Sequence, residues 1–168
     1  MTCIVGIATK GKVYLGGDSA AVSELHIQVR KDKKVFHNGP LIMGFTTSFR
    51  MGQILEHELI VPKDTYMDAY KFMVKSLIPE IRTIFKDHGY DEGGVFLIGY
   101  KGRLFLIAAD YQVAENLNGI ASCGCGSKYA LGSLLTSTGN PVKRLQIALE
   151  VATELNGGVR PPFNFVSN

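Results

Sequence analysis

The feature that most constrains this chain is the order in which its hydrophobic periods change. Paired apolar runs of strand length come first, two windows of helical spacing follow, and the same succession then repeats. Thr2 to Thr9 and Val13 to Asp18 are β-rich runs on either side of Lys10-Gly11-Lys12, and read as a hairpin that opens the chain. Val35 to His37 and Leu41 to Phe45 form a second expected strand pair around the turn signal Asn38-Gly39. The first helical window runs from about Phe49 to Leu59. The second runs from about Tyr66 to Asp87, with Met67, Tyr70, Met73, Val74, Leu77, Ile81, Ile84 and Phe85 at helical spacing, and Pro79 predicts a kink. Strands follow at Val95 to Tyr100 and Arg103 to Ala108 around Lys101-Gly102, with a short one at Ile120-Ala121. Two more helices span about Ser127 to Ser137 and Val142 to Asn156, the latter ended by Gly157-Gly158. The tail from Val159 to Asn168 contains Pro161-Pro162 and has room only for a short strand.

Segregated strand and helix runs argue for an α+β fold rather than alternating βαβ units. Two antiparallel sheets packed face to face, each with a helix pair outside, would bury every apolar face. The expectation is one domain over residues 1–168. Met51, Ile54 and Leu55 on the first helix and Tyr66, Met67, Tyr70 and Met73 on the second give more apolar surface than one sheet face needs, which predicts a packing partner.

Composition removes several function classes. With 46% hydrophobic and 20% charged residues the chain is not disordered. A net charge of +3 is too mild to argue for nucleic acid. No stretch approaches the ~18 apolar residues of a membrane span, and the start lacks a basic segment followed by an apolar core, so no signal peptide is expected. Three cysteines, Cys3, Cys123 and Cys125, make no disulfide framework, and a reduced, cytoplasmic compartment is expected. Cys-x-Cys lacks the second ligand pair of a zinc site, and His26, His37, His57 and His88 are scattered, so no metal or cofactor is expected. There is no phosphate-loop signature, so the chain carries no ATPase of its own.

The chemistry begins at Thr2. Excision of Met1 before this small residue would leave a hydroxyl and a free α-amine on one residue, a nucleophile with its own base. An α-amine titrates near ~7.7–8.0, so a useful neutral fraction exists at neutral pH. Taken singly, the neighbouring candidates are ordinary. Asp18 in Gly16-Gly17-Asp18-Ser19 reads as a turn residue. Lys34 closes the charged run Arg30-Lys31-Asp32-Lys33-Lys34, which reads as a solvated face. Gly44 reads as a close-packing glycine, and Gly124 to Ser127 as a turn that caps a helix.

Their joint spacing is not ordinary. Asp18 follows Thr2 by sixteen residues and Lys34 follows it by thirty-two. With Thr2-x-Ile4-Val5-Gly6, Leu41 to Thr46 and Ser122 to Ala130, these intervals resemble the proteasome β-subunit family and its bacterial HslV-type relative. The resemblance covers the chain from Thr2 to about Gly158 and implies a four-layer αββα sandwich, the N-terminal-nucleophile hydrolase fold. It implies a threonine-type peptidase with Thr2 as nucleophile, Lys34 as the buried cation, Asp18 as its partner, and the Gly44 N–H as oxyanion donor. By the same resemblance Ala21, Ile42, Thr46 and Arg50, with Asp32 or its neighbours, would line the substrate pocket. Cys125 stands where the family has the serine that helps hold the terminal amine, and a thiol does this poorly; Ser127 lies two residues on. Asn156 falls about where proteasome subunits carry an Asp, and Gly157-Gly158 brings no Ser. The implied partners are copies of the chain in a closed ring of six or seven, singly or in two stacked rings, a peptide or unfolded-protein substrate, and any ATP-driven unfoldase as a separate chain. A rival reading is a non-catalytic ring or scaffold subunit that keeps Met1, and a third is a small-molecule amidase.

Overall fold

The opening hairpin forms where alternation places it. In the computed structural model, which describes residues 1–24, 26–64 and 66–168, β1 (Cys3–Thr9) pairs antiparallel with β2 (Lys12–Gly17), from Ile4 opposite Gly17 to Thr9 opposite Lys12. Lys10 at φ 50° and Gly11 at φ 72° make the left-handed two-residue turn that matches strand twist. Two further pairs extend this sheet. β10 (Ile120–Gly124), longer than the sequence suggests, lies beside β1, and β11 (Asn164–Ser167), built by the tail, lies beside β2. The order is β10-β1-β2-β11.

The second sheet runs β5-β6-β7-β8-β9. Here β5 (Val35–Asn38) and β6 (Leu41–Phe45) form the expected hairpin, followed by β7 (Phe96–Tyr100), β8 (Arg103–Ile107) and the short β9 (Val113–Glu115). A two-stranded ribbon, β3 (Ala20–Ser23) with β4 (His26–Val29), leaves the end of β2. Nothing in the sequence marks this ribbon: β4 is exposed along its length and shows no core-facing alternation.

The helices follow the caps. Ser48 caps α1 (Phe49–His57) by accepting the Arg50 N–H, and Asp68 caps α2 (Ala69–Phe72) by accepting from Tyr70 and Lys71. The long helix therefore starts at Ala69, not Tyr66, which is fully exposed. The kink expected at Pro79 takes the form of a wide π turn, Met73–Leu77, leading into α3 (Ile78–Asp87). Proline lacks the N–H that would continue the ladder, so the change of hydrogen-bond spacing falls just before it. α4 (Ser127–Thr136) and α5 (Pro141–Leu155) complete the chain's helices among the described residues, with proline at the tolerated first position of α5 and Asn140 as its cap.

The apolar side chains sort into three groups. Met51, Ile54, Leu55, Phe72, Met73 and Phe85 pack from α1–α3 against Met43, Phe96 and Phe105 of the second sheet. Val5, Ile7, Leu134, Leu145 and Leu149 join α4 and α5 to the first sheet. Ile4, Leu15, Ile42, Leu97 and Leu104 pack between the sheets. β1 shows the alternation directly, with Cys3, Val5 and Ile7 facing the helices and Ile4 facing the other sheet. Of the helix residues expected to seek a partner, Met51, Ile54, Leu55 and Met73 are spent in the chain's own core, while Tyr66 and Tyr70 remain exposed.

Gly52 shows how tightly α1 sits. A Cβ there would overlap the ring of Phe45. Alanine in a helix ordinarily stabilises by about 1 kcal/mol over glycine, but Gly52→Ala is expected to destabilise by about 1–3 kcal/mol through overpacking. A denaturation midpoint that rises in this variant would show that α1 is held more loosely than described.

Candidate active site

Asp18 lies at the end of β2, where the chain leaves one sheet for the ribbon, and its side chain is completely buried. Four donors meet it. Oδ1 accepts from the Cys3 N–H at 2.9 Å and from Lys34 Nζ at 2.8 Å; Oδ2 accepts from the Ala20 N–H at 3.0 Å and the Arg160 N–H at 3.2 Å. Lys34 Nζ also donates to the Ala20 carbonyl at 2.5 Å. Lys34, at the head of β5, is 1% exposed, whereas Lys31, Asp32 and Lys33 of the same charged run are exposed. The run is solvated up to its last residue, which turns inward. Burial holds the Lys34 ammonium below the ordinary lysine value, with the Asp18 carboxylate pulling the other way.

Thr2 sits directly beside this pair, because the Asp18 carboxylate grips the next residue's N–H. Thr2 is 6% exposed. Its Oγ1 donates to the Met1 carbonyl at 2.6 Å, and its N–H points at Cys125 Sγ, 3.3 Å away. The Cys125 sulfur lies 3.4 Å from the Thr2 carbonyl and 3.2 Å from Asn156 Oδ1, either of which can accept its proton. Asn156 closes the loop by donating to the Cys125 carbonyl at 3.1 Å and accepting the Gly158 N–H at 2.9 Å. Gly124 makes this approach possible: it adopts φ 95°, and a Cβ would strike the Thr2 carbonyl. Ser127, two residues on, opens α4.

A cavity of about 110 Å³ opens at Thr2, lined among others by Met1, Ala21, Thr46, Thr47 and Phe49. Ala21 and Thr46 line this cavity together with Thr2. Ile42 and Arg50 do not line it. Ile42 is buried between the sheets opposite Gly99, because alternation along β6 turns it inward, and Arg50 is exposed on the first turn of α1. Asp32 pairs with Arg30 at 2.7 Å, and the Arg30 guanidinium lies 4.0 Å from the centre of the Phe49 ring. Gly44 is also placed differently from the expectation. The Phe45 N–H bonds the Lys34 carbonyl and the Thr46 N–H bonds the Val95 carbonyl, both at 3.0 Å. Alternation therefore turns the Gly44 N–H toward β7, into the sheet and away from the cavity.

Thr47 is the residue the sequence reading missed. It adopts φ 65°, a region that β-branched residues rarely enter, and its N–H has no acceptor among the described residues. Its hydroxyl accepts the Val95 N–H at 3.2 Å, while Thr46 Oγ1 donates to the Val95 carbonyl at 2.7 Å. These bonds hold a strained backbone at the cavity wall. The hydroxyl run Thr46-Thr47-Ser48 just before a helix was the available signal. Among the described residues, no three His, Cys, Asp or Glu side chains gather as metal ligands, and no helix is long and apolar enough to cross a membrane.

The three thiols differ sharply. Burial pushes Cys3 up to about 12 and raises Cys123 as well, while Cys125 is exposed. Brief iodoacetamide treatment of the native protein should add one label per chain, at Cys125, against three after denaturation. Native labelling of Cys3 or Cys123 at a similar rate would contradict this arrangement.

No sequence-family model matches the chain, and no curated protein matches its sequence. Solved structures do match. A structure of Thiobacillus denitrificans BPH in complex with epoxomicin superposes with TM-score 0.84 at 16% identity, covering 99% of this chain and 98% of that one. The eukaryotic HslV from Trypanosoma brucei gives 0.73 at 16% identity, over 99% and 98%. Anbu, an ancestral β-subunit from Yersinia bercovieri, gives 0.71 at 16% identity, over 99% and 81%. Antiparallel sheets with helices on them, in this order and at this agreement, are shared with proteins of little common sequence: the chain has the proteasome β-subunit and HslV type of N-terminal-nucleophile fold.

Proposed function

We propose that this chain is a threonine-type peptidase, a single four-layer αββα domain over residues 1–168 that cleaves peptide bonds with Thr2 as its N-terminal nucleophile. The observation that carries the reading is the buried Asp18–Lys34 pair, anchored to the residue that follows Thr2. A buried ammonium of this kind is costly, and a surface-seeking lysine at the end of a charged run has no packing reason to enter. Its use is electrostatic: in a dry site it favours an alkoxide over a hydroxyl.

Removal of Met1 frees the Thr2 amine, takes away the carbonyl that now accepts from Oγ1, and widens the cavity that Met1 lines. Thr2 Oγ1 then attacks the substrate carbonyl while the α-amine takes the hydroxyl proton. The new C–O bond pushes the carbonyl electrons onto oxygen, and the Thr47 N–H, rather than that of Gly44, is the backbone donor available at the cavity. Collapse of this adduct breaks the C–N bond, and the amine's proton passes to the departing amine. Water then hydrolyses the ester and restores Thr2. Cys125 holds the Thr2 nitrogen, more weakly than a hydroxyl would, and Asn156 braces Cys125. Ala21, Thr46 and Phe49 receive the substrate side chain; the Thiobacillus denitrificans BPH structure is a complex with epoxomicin, and the same cavity would take such a ligand here.

The chain is read as cytoplasmic and as assembling with itself into a closed ring that keeps this site away from folded proteins, with any unfoldase on a separate chain. Exposed Tyr70 and Val74 on the α2–α3 segment and Leu135 and Leu155 on α4 and α5 supply apolar surface for such contacts.

Two variants test the reading. Thr2→Ala should abolish hydrolysis of a peptide amide while the circular dichroism spectrum is unchanged; full activity in this variant would remove Thr2 from the mechanism. Lys34→Ala strands a buried carboxylate and should cost about 3–5 kcal/mol of stability together with activity, whereas Lys31→Ala should be nearly silent. Equal effects from the two lysines would place the functional cation elsewhere.

A further inference from the structure

The far end of the first hairpin carries a larger cavity than the one at Thr2. Its volume is about 400 Å³, and Thr9, Lys10, Lys12, Tyr14, Pro141 and Arg144 line it. β1 runs from Cys3 to Thr9, so this cavity lies a strand's length, roughly 20 Å, from the peptidase site. The two lysines flank the tight turn at Gly11, which holds them two residues apart on rigid backbone.

The charges here are of one sign. Arg144 is anchored without a carboxylate: Nη2 donates to the Leu134 carbonyl at 2.7 Å and Nε to Ser137 Oγ at 3.2 Å. Among the described residues, no acidic side chain lines the cavity, and none pairs with Lys10, Lys12 or Arg144. What sets these cations apart is that three of them line one concave space. The first turn of α5, beside the cavity, carries Lys143 and no acidic residue, so the helix end adds to the positive field. Three cations around one concave space repel one another until an anion enters.

We propose that this cavity is a binding site for a phosphate-bearing small anion. Two ammonium groups and a fixed guanidinium match the charge and the several acceptor oxygens of a phosphate group. The hydroxyls of Thr9 and Tyr14 supply neutral donors. The volume is in the range of small-ligand sites and is large enough for a di- or triphosphate. The role is separate from peptide hydrolysis.

Isothermal titration calorimetry with inorganic phosphate and with ATP, each in magnesium-free buffer, tests this. At least one titrant should saturate at about one site per chain, and affinity should fall as sodium chloride is raised. The double variant K10N/K12Q should bind at least about tenfold more weakly, while Lys31→Gln should bind as wild type; asparagine keeps the left-handed backbone that position 10 requires. Saturation by phosphate identifies the free ion as a sufficient ligand, and saturation by ATP alone identifies a nucleotide. Peptide cleavage by K10N/K12Q should be unchanged, so this proposal and the peptidase reading fail separately. No saturable binding of either titrant, or equal affinity in K10N/K12Q, overturns the proposal.

Discussion

One buried carboxylate organises this molecule. Asp18 takes three backbone N–H groups and one ammonium, from Cys3, Ala20, Arg160 and Lys34. Those donors belong to the start of β1, the first residue of the ribbon, the tail before β11, and the head of β5. An ion pair with no solvent contact is weak evidence for stability, since desolvation consumes much of its attraction. Its value here is positional. Each partner must arrive at one point for the charge to be tolerated, so the pair fixes the Thr2 end of β1 against the second sheet and the tail at once. No buried side-chain polar atom among the described residues is left without a partner, so the site is not stabilised by a compromise elsewhere.

The fixed point also explains the shape of the site. Thr2 is held by its neighbour rather than by its own side chain, which leaves Oγ1 able to turn from the Met1 carbonyl toward a substrate. Cys125 reaches the Thr2 nitrogen only because Gly124 accepts a left-handed turn and Asn156 braces the loop from the end of α5. The thiol is a weak donor in a place where a hydroxyl would serve better, but the brace around it is intact.

How much of this was written locally in the sequence differs by element. The β1–β2 and β5–β6 hairpins were legible because a two-residue glycine turn and alternating residues act over a few positions. Asp18 and Lys34 were legible only as a spacing, since each alone reads as a surface residue. The ribbon was not legible: β4 buries nothing, so no period marks it. β11 pairs with β2 across most of the chain, and four residues after a proline pair carry no sign of a partner that distant. Arg160 enters the site through its backbone, which has no side-chain signature. Ile42 and Gly44 were assigned to the pocket from motif position, but strand alternation decides which way a residue and its N–H face, and both turn into the layers. Thr47 was hidden for the converse reason: a β-branched residue at positive φ is a choice local propensity argues against, and it is made at the cavity wall.

Peptide cleavage at this site requires Thr2 to carry a free amine above the Asp18–Lys34 pair. The most direct measurement is the N-terminal sequence and intact mass of the protein purified in its active state. The account predicts a chain that begins at Thr2 and is lighter than the full sequence by one methionine residue. A homogeneous chain that retains Met1 and still cleaves peptide amides would contradict it, because the nucleophile would then lack its base.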